Sequence, residues 1–302
     1  MMGTMPREVS LACIGDIMLE LITSLEVTSD YQHTLSIDGG AATPGGAVCN
    51  LVWYFSRLGR PSTVISHYGS ADRDRVCQLF REAKCAAKSL IEKRTMTDLL
   101  IVAARVAMPA IYVMGQLEDD EIAAIVGGLR DDGWIIFGGS RHAALRTAFL
   151  KRIATFHHAK IAFSPSYTLY DYSVEEIKEF LALSDIAFVN EHEADYLARN
   201  LLHGDLNTVM RLPKEGGVVT RGPRGAELYH RNSHSLHVPS VSGRQEDVIG
   251  TGEAFVCGFL HALISGSSWI RAGETGCAVA AKVVLDGRVR APIAAHALPA
   301  LA

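Results

Sequence analysis

Short apolar runs alternate with longer amphipathic stretches along most of this chain. Residues 9–14 form an apolar run ending at Gly15, and residues 62–68 form a second; both read as buried strands. Between residues 134 and 220 the rhythm is regular. Runs at 134–137, 160–163, 186–189 and 218–220 predict strands, and 142–155, 174–183 and 193–199 predict helices. Residues 51–59 add a helix stopped by Gly59, and 72–83 add another with Val76, Leu79 and Phe80 on one face. Two more helices, 254–264 and 273–285, follow near the C-terminal end. Such alternation predicts an α/β fold of three layers, a mostly parallel central sheet covered by helices on both faces.

One region breaks the rhythm. Residues 90–114 hold two apolar runs, 99–107 and 110–114, joined at Met108-Pro109 in the pattern of a hairpin. Residues 21–38 are mixed and polar, with weak strand character. No linker, internal repeat or low-complexity segment divides the chain. The expectation is one domain, 1–302, carrying a small β excursion that forms a lid, a partner surface or a plain edge hairpin.

Candidate chemistry lies where predicted strands end. The stretch Asp247-Val248-Ile249-Gly250-Thr251-Gly252-Glu253 reads as a tight glycine turn opening into a helix. Such a turn lets backbone N–H groups converge, and the helix start adds unpaired donors and a positive dipole end. With Glu253 on the rim, the stretch suits phosphoryl transfer to a hydroxyl: the donors hold charge on the phosphate and the carboxylate takes the proton. Taken alone, it also fits a turn that only starts a buried helix. Asp16 and Glu20 follow the first strand, where parallel α/β folds bind ligands. Small residues from Gly39 to Gly46 allow close backbone approach, and Asn50 falls in the helix that follows.

Composition narrows the classes. With 48% hydrophobic and 21% charged residues in 302, the chain supports a sizeable core. A net charge of -4 without a Lys/Arg block argues against nucleic acid as the main partner. The six cysteines form no C-x-x-C pair and read as thiols of a reducing compartment. No apolar run reaches membrane-spanning length, and the first eight residues lack a signal-peptide core, so a soluble cytoplasmic protein is expected. A P-loop and a dinucleotide fingerprint are both absent. His230, His234 and His237 are close in sequence but fit no common zinc spacing.

Four motifs in order resemble the carbohydrate kinases that include ribokinase and adenosine kinase, the PfkB or ribokinase-like family. The family's D-T-x-G-A-G-D turn corresponds to Asp247 through Glu253. Its G-G pair, asparagine and R-L-G helix end correspond to Gly45-Gly46, Asn50 and Arg57-Leu58-Gly59. Its N-x-x-E matches Asn190-Glu191-His192-Glu193, and its T-x-G-x-x-G matches Thr220-Arg221-Gly222-Pro223-Arg224-Gly225. The resemblance implies a ribokinase-like α/β/α fold with β-lid segments near 16–40 and 94–115, and an ATP-dependent kinase of a sugar-like hydroxymethyl group. It implies Glu253 as general base, with Gly250, Thr251 and Gly252 donating to the phosphate. It places Gly45, Gly46, Asn50 and Asp16 or Glu20 in the acceptor pocket, and Thr220, Gly222 and Gly225 on the nucleotide. Asn190 and Glu193 would organise Mg²⁺ mainly through water, and Asp247 falls where some relatives hold a monovalent cation such as K⁺. A homodimer through the lid is a further implication. Adenosine-like nucleoside kinases share these motifs, as would a ligand-binding or regulatory protein on the same scaffold.

Departures from the pattern matter. The family base is aspartate, whereas Glu253 is one methylene longer, and a misplacement of about 1 Å costs on the order of a hundredfold in rate. Thr251 replaces a small residue, and a D-P-N-like element is Ser164-Pro165-Ser166 here. A glutamate base with compensating neighbours and a protein that kept the fold without the chemistry are the two explanations.

Overall fold

Alternate residues of the apolar runs point to opposite faces of one sheet, and each face carries its own core. The structure is a computed structural model that describes residues 9–24, 42–104, 111–201, 205–242, 249–286 and 290. Its strands are β1 (Leu11–Ile14), β2 (Met18–Ser24), β3 (Thr43–Gly45), β4 (Thr63–Gly69), β5 (Ala86–Lys93), β6 (Asp98–Ala104), β7 (Ile111–Val113), β8 (Trp134–Phe137), β9 (Lys160–Phe163), β10 (Ile186–Asn190), β11 (Gly216–Thr220), β12 (Ala226–His230) and β13 (Leu236–Val238). Its helices are α1 (Ala47–Arg57), α2 (Arg73–Glu82), α3 (Asp119–Gly127), α4 (Ala143–Ile153), α5 (Val174–Leu183), α6 (Glu191–Asn200), α7 (Leu206–Val209), α8 (Thr251–Ile264) and α9 (Trp269–Asp286).

The large sheet runs β13-β12-β11-β10-β9-β8-β1-β4-β5, parallel from β11 to β5 and antiparallel at β12 and β13. Cys13, Val64, Ile136, Ala162, Phe188 and Val218 pack with α1, α2, α8 and α9 on one face. Their neighbours Ile14, Ile65, Phe137, Phe163, Val189 and Val219 pack with α3 to α7 on the other. Burying such side chains contributes about 1.5–3 kcal/mol each, so both faces hold the helices firmly. This is the predicted three-layer fold, with one stable end: every parallel strand delivers its C-terminal residue to the same edge.

A second, four-stranded sheet runs β3-β2-β6-β7, with β2 and β6 parallel and both outer pairs antiparallel. The predicted hairpin exists: Leu99 pairs with Val113 and Ile101 with Ile111. Its joining residues, including Met108-Pro109, lie outside the described residues, as does most of the 21–38 stretch. The region that breaks the rhythm begins a little after residue 90, as the 94–115 bound implies. Residues 90–93 belong to β5, the parallel edge strand on β4, and the chain leaves the large sheet only after Lys93. Helix α3 has no counterpart in the predicted pattern. Three acids fill its first turn, and Glu118 and Glu121 close a reciprocal capping box there.

Candidate active site

The N-terminus of α8 organises the site. Gly250 caps it at φ +91°, the left-handed conformation that glycine reaches without a Cβ clash, and Ala254 N–H donates back to the Gly250 carbonyl at 3.0 Å. The first turn therefore presents helix-end N–H groups. Gly252 is exposed, and a Cβ there would meet nothing within 4 Å, so the turn opens outward. Asp247 lies outside the described residues.

Glu253 lies in this turn, within the electrostatic reach of two other carboxylates. Burial pushes its carboxyl up to about 7; its own N–H and the Asn50 side chain favour the charged form, while Glu20 opposes it. Glu193 is likewise pushed up to about 7, by burial and by repulsion from Glu253, against donors from Asn190. Glu253 thus feels the charge of Glu20, and Glu193 feels that of Glu253.

One wall of the candidate site is built by β2, β3 and α1. Glu20 Oε1 accepts the Gly46 N–H at 2.7 Å, while its Oε2 is buried without a partner. Asn50 is also buried, and its Oδ1 has no partner. Glu20 fits because Gly45 has no side chain: a Cβ there would fall 2.0 Å from the Glu20 Cδ. Asp16 is used differently. Its carboxylate accepts from His67 Nε2 at 3.1 Å, Ser140 Oγ at 2.6 Å and Arg141 N–H at 2.8 Å, so it is fully engaged by the protein. Of the two early acids, Glu20 keeps a lone pair for a ligand.

The opposite side is built by β10, β11 and α6. Asn190 caps α6 by accepting the Glu193 N–H at 2.9 Å, and its Nδ2 donates to Glu193 Oε1 at 2.6 Å. This reciprocal cap starts α6 at Glu191, two residues before the predicted start. Asn190 pairs in register with Thr220, which brings two predicted motifs side by side at adjacent strand ends. Gly222 and Gly225 follow Thr220 in the turn to β12; at Gly222 a Cβ would meet nothing within 4 Å, leaving that face open. A divalent cation beside Glu193 would relieve the repulsion that Glu253 exerts on it.

These shifts have a stability consequence. A carboxyl whose folded pKa is raised from 4.5 to about 7 contributes stability that is fully present below its unfolded value and lost as pH rises through about 7. Glu253→Gln removes its share. We expect urea denaturation at pH 8, without divalent cations, to show the variant more stable than wild type by on the order of 1–2 kcal/mol, and the gap to vanish near pH 4.

Sequence reasoning missed one cluster: Asp16, His67, Asp98 and His142, whose ligand atoms lie within 4.8 Å of one another. Three of the four carry no motif, and only the fold brings them together. Among the described residues it is the one such group, and His230, His234 and His237 form none. Tyr167 was also missed; its hydroxyl reaches Met18 Sδ at 2.9 Å, and it feels the charges of Asp16, Glu20 and Glu253.

A mostly parallel sheet, a small second sheet over its C-terminal edge and a glycine-capped helix bearing a carboxylate define a ribokinase-fold kinase. The chain belongs to the pfkB family of carbohydrate kinases, whose sequence profile matches residues 9–295. It is 24% identical over 298 residues to a nucleoside kinase of Methanothermobacter thermautotrophicus, covering 93% of this chain and 91% of that protein. A shorter match, 29% identical over 125 residues, covers 41% of this chain and 40% of a nucleoside kinase of Methanocaldococcus jannaschii. The fold superposes with a TM-score of 0.80 on Burkholderia thailandensis nucleoside kinase in complex with inosine, at 17% identity and 95% coverage of both chains. No helix among the described residues is long and apolar enough to cross a membrane.

Proposed function

We propose that this kinase transfers the γ-phosphoryl group of ATP to a hydroxymethyl group of a sugar or sugar-bearing small molecule, with Glu253 as general base. The observation that carries this reading is the position of Glu253. It stands in the first turn of α8, within the electrostatic reach of Glu20 and Glu193. Glu20 Oε2 and Asn50 Oδ1 are buried acceptors without donors. Leaving such atoms unmet costs about 1–3 kcal/mol each, and hydroxyls of an acceptor relieve that cost.

The steps follow from these positions. Glu253 takes the proton of the acceptor hydroxyl, whose oxygen bonds to the γ-phosphorus while the bond to the β–γ bridging oxygen breaks. Backbone donors of Gly250, Thr251 and Gly252 hold the charge that develops on the transferring group. Asn190 and Glu193 would hold magnesium through its waters, and Mg²⁺ bound there would supply charge neutralisation on the phosphates. Thr220, Gly222 and Gly225 line the nucleotide. Gly45 and Gly46 let the acceptor approach the backbone, and the small sheet of β2, β3, β6 and β7 closes over it and excludes water. We assign Asp247 to a monovalent cation, K⁺, and the outer face of the small sheet to a homodimer contact.

A nucleoside is the second acceptor class, and Tyr167 is the observation that favours it. Its ring lies beside Met18 within the electrostatic reach of Glu20 and Glu253, where a planar base would stack. The test is ADP release by the purified protein with Mg²⁺, with and without K⁺, against pentoses, hexoses, adenosine and inosine. Turnover on at least one supports the kinase; tight acceptor binding with no ADP release from any would replace it with a binding protein on this fold.

A further inference from the structure

The chain crosses between the two sheets near residues 15–17, 94–97 and 114–118, and these three crossings converge on one buried cluster. Asp16 lies in the first, Lys93 and Asp98 flank the second, and Gly115 lies in the third. The large sheet contributes His67 from β4, with Ser140, Arg141 and His142 from the loop between β8 and α4. The cluster is dry: Lys93 is 1% exposed, Asp98 and His67 0%, and Asp16 3%.

Asp98 is its centre. Its Oδ1 accepts from Lys93 Nζ at 2.7 Å and from the Gly115 N–H at 2.8 Å. Its Oδ2 accepts from His142 Nε2 at 3.0 Å and from the Tyr112 hydroxyl at 3.3 Å. One carboxylate therefore ties the second crossing, the third crossing, β7 and the start of α4. Asp16 repeats the arrangement at the first crossing with His67, Ser140 and Arg141. The two histidine rings meet edge to face, 4.9 Å between centroids, and join the halves.

The donors settle what the cluster is. Both carboxylates are satisfied by N–H and O–H groups, and the cation in the cluster is the Lys93 ammonium, so a divalent ion would meet a positive charge already in place. Asp98 is also the first rung of the parallel ladder between β6 and β2. It stands opposite Met18, and Leu100 stands opposite Glu20. Whatever fixes Asp98 fixes Glu20 two residues along the partner strand.

We infer that Asp98, neutralised by Lys93, is the anchor that fastens the small sheet to the large one and thereby positions Glu20. Asp98 is a positioning residue that touches no substrate. The inference stands without the kinase reading, because its test needs no turnover. Breaking a buried pair leaves an uncompensated charge, and the small sheet opens before the large one, whose two apolar cores do not include Lys93 or Asp98.

Amide hydrogen exchange on the full chain provides the test. In Asp98→Asn, exchange in β2, β6 and β7 is expected to quicken by on the order of a hundredfold while β8, β9 and β10 stay protected. Lys93→Met, which keeps the apolar stem and removes the charge, is expected to do the same. Arg94→Ala breaks the exposed Arg94–Asp120 pair of the same crossing and is expected to leave exchange unchanged. Unchanged β2 and β6 in both buried variants would overturn the inference, as would equal quickening in β8–β10. One equivalent of a transition metal in the purified wild-type protein would overturn it too.

Discussion

Glu253→Gln is expected to lower kcat by on the order of a thousandfold and leave the acceptor KM within a few fold of wild type. Glutamine keeps the length, the helix position and a hydrogen-bonding oxygen, so what disappears is the capacity to take a proton. Wild-type activity is expected to rise with pH through about 7, because burial raises the Glu253 carboxyl to about that value and only the charged form accepts a proton. Glu193 rises to about the same value and the two carboxyls repel, so the limb belongs to the pair. Glu253→Asp is informative in the other direction. Here the Asn50 side chain hydrogen-bonds the glutamate carboxyl, and an aspartate would draw the carboxylate back by more than 1 Å. We expect it to lose roughly ten- to a hundredfold in kcat, even though aspartate is the residue of the family pattern. Steady-state kinetics of both variants check this; a fully active aspartate would show that the pocket is not fitted to glutamate.

The second large effect belongs to Gly46. Its φ of +88° and ψ of 158° fall in a region that only glycine occupies at low cost, and a Cβ there would stand 2.5 Å from the Asp16 carbonyl oxygen. Neither can relax, because Asp16 is held by three donors and Gly46 starts α1. Gly46→Ala is expected to cost about 3–4 kcal/mol and lower Tm by roughly 10 °C. It also shifts the Gly46 N–H from Glu20 Oε1, so the acceptor KM rises at temperatures where the variant is folded. Calorimetry and acceptor titration together check this. A variant with wild-type Tm would show that this backbone is not fixed as described.

Most of the fold was legible because its signal is local. Strands such as 134–137 and 160–163 are short apolar runs with helices between, and periodicity alone places them. The glycine turn before α8, the N-x-x-E cap and the Thr220 turn were legible as local structure for the same reason: each is a few consecutive residues whose conformational needs are visible in their types. What failed was non-local. Asp16 and Glu20 are both acids just past β1, and nothing in the sequence says that one is consumed by Ser140, Arg141 and His67 while the other keeps a free oxygen. Lys93, Asp98 and His142 look like ordinary strand-end and loop polar residues until the small sheet folds back. Residues 90–93 were grouped with the excursion although they belong to the large sheet, because a strand's sheet is not written in its own residues. The choice between sheets is made by pairing with β4 rather than by propensity.

The central claim is that phosphate passes from ATP to an acceptor hydroxyl under Glu253. Its most direct test follows the label from γ-labelled ATP in a single turnover, with the acceptor selected by ADP release, in wild type and Glu253→Gln. The account predicts label on the acceptor hydroxymethyl group in wild type and almost none in the variant over the same time. Label found only in inorganic phosphate, or transferred equally fast by the glutamine variant, would contradict it.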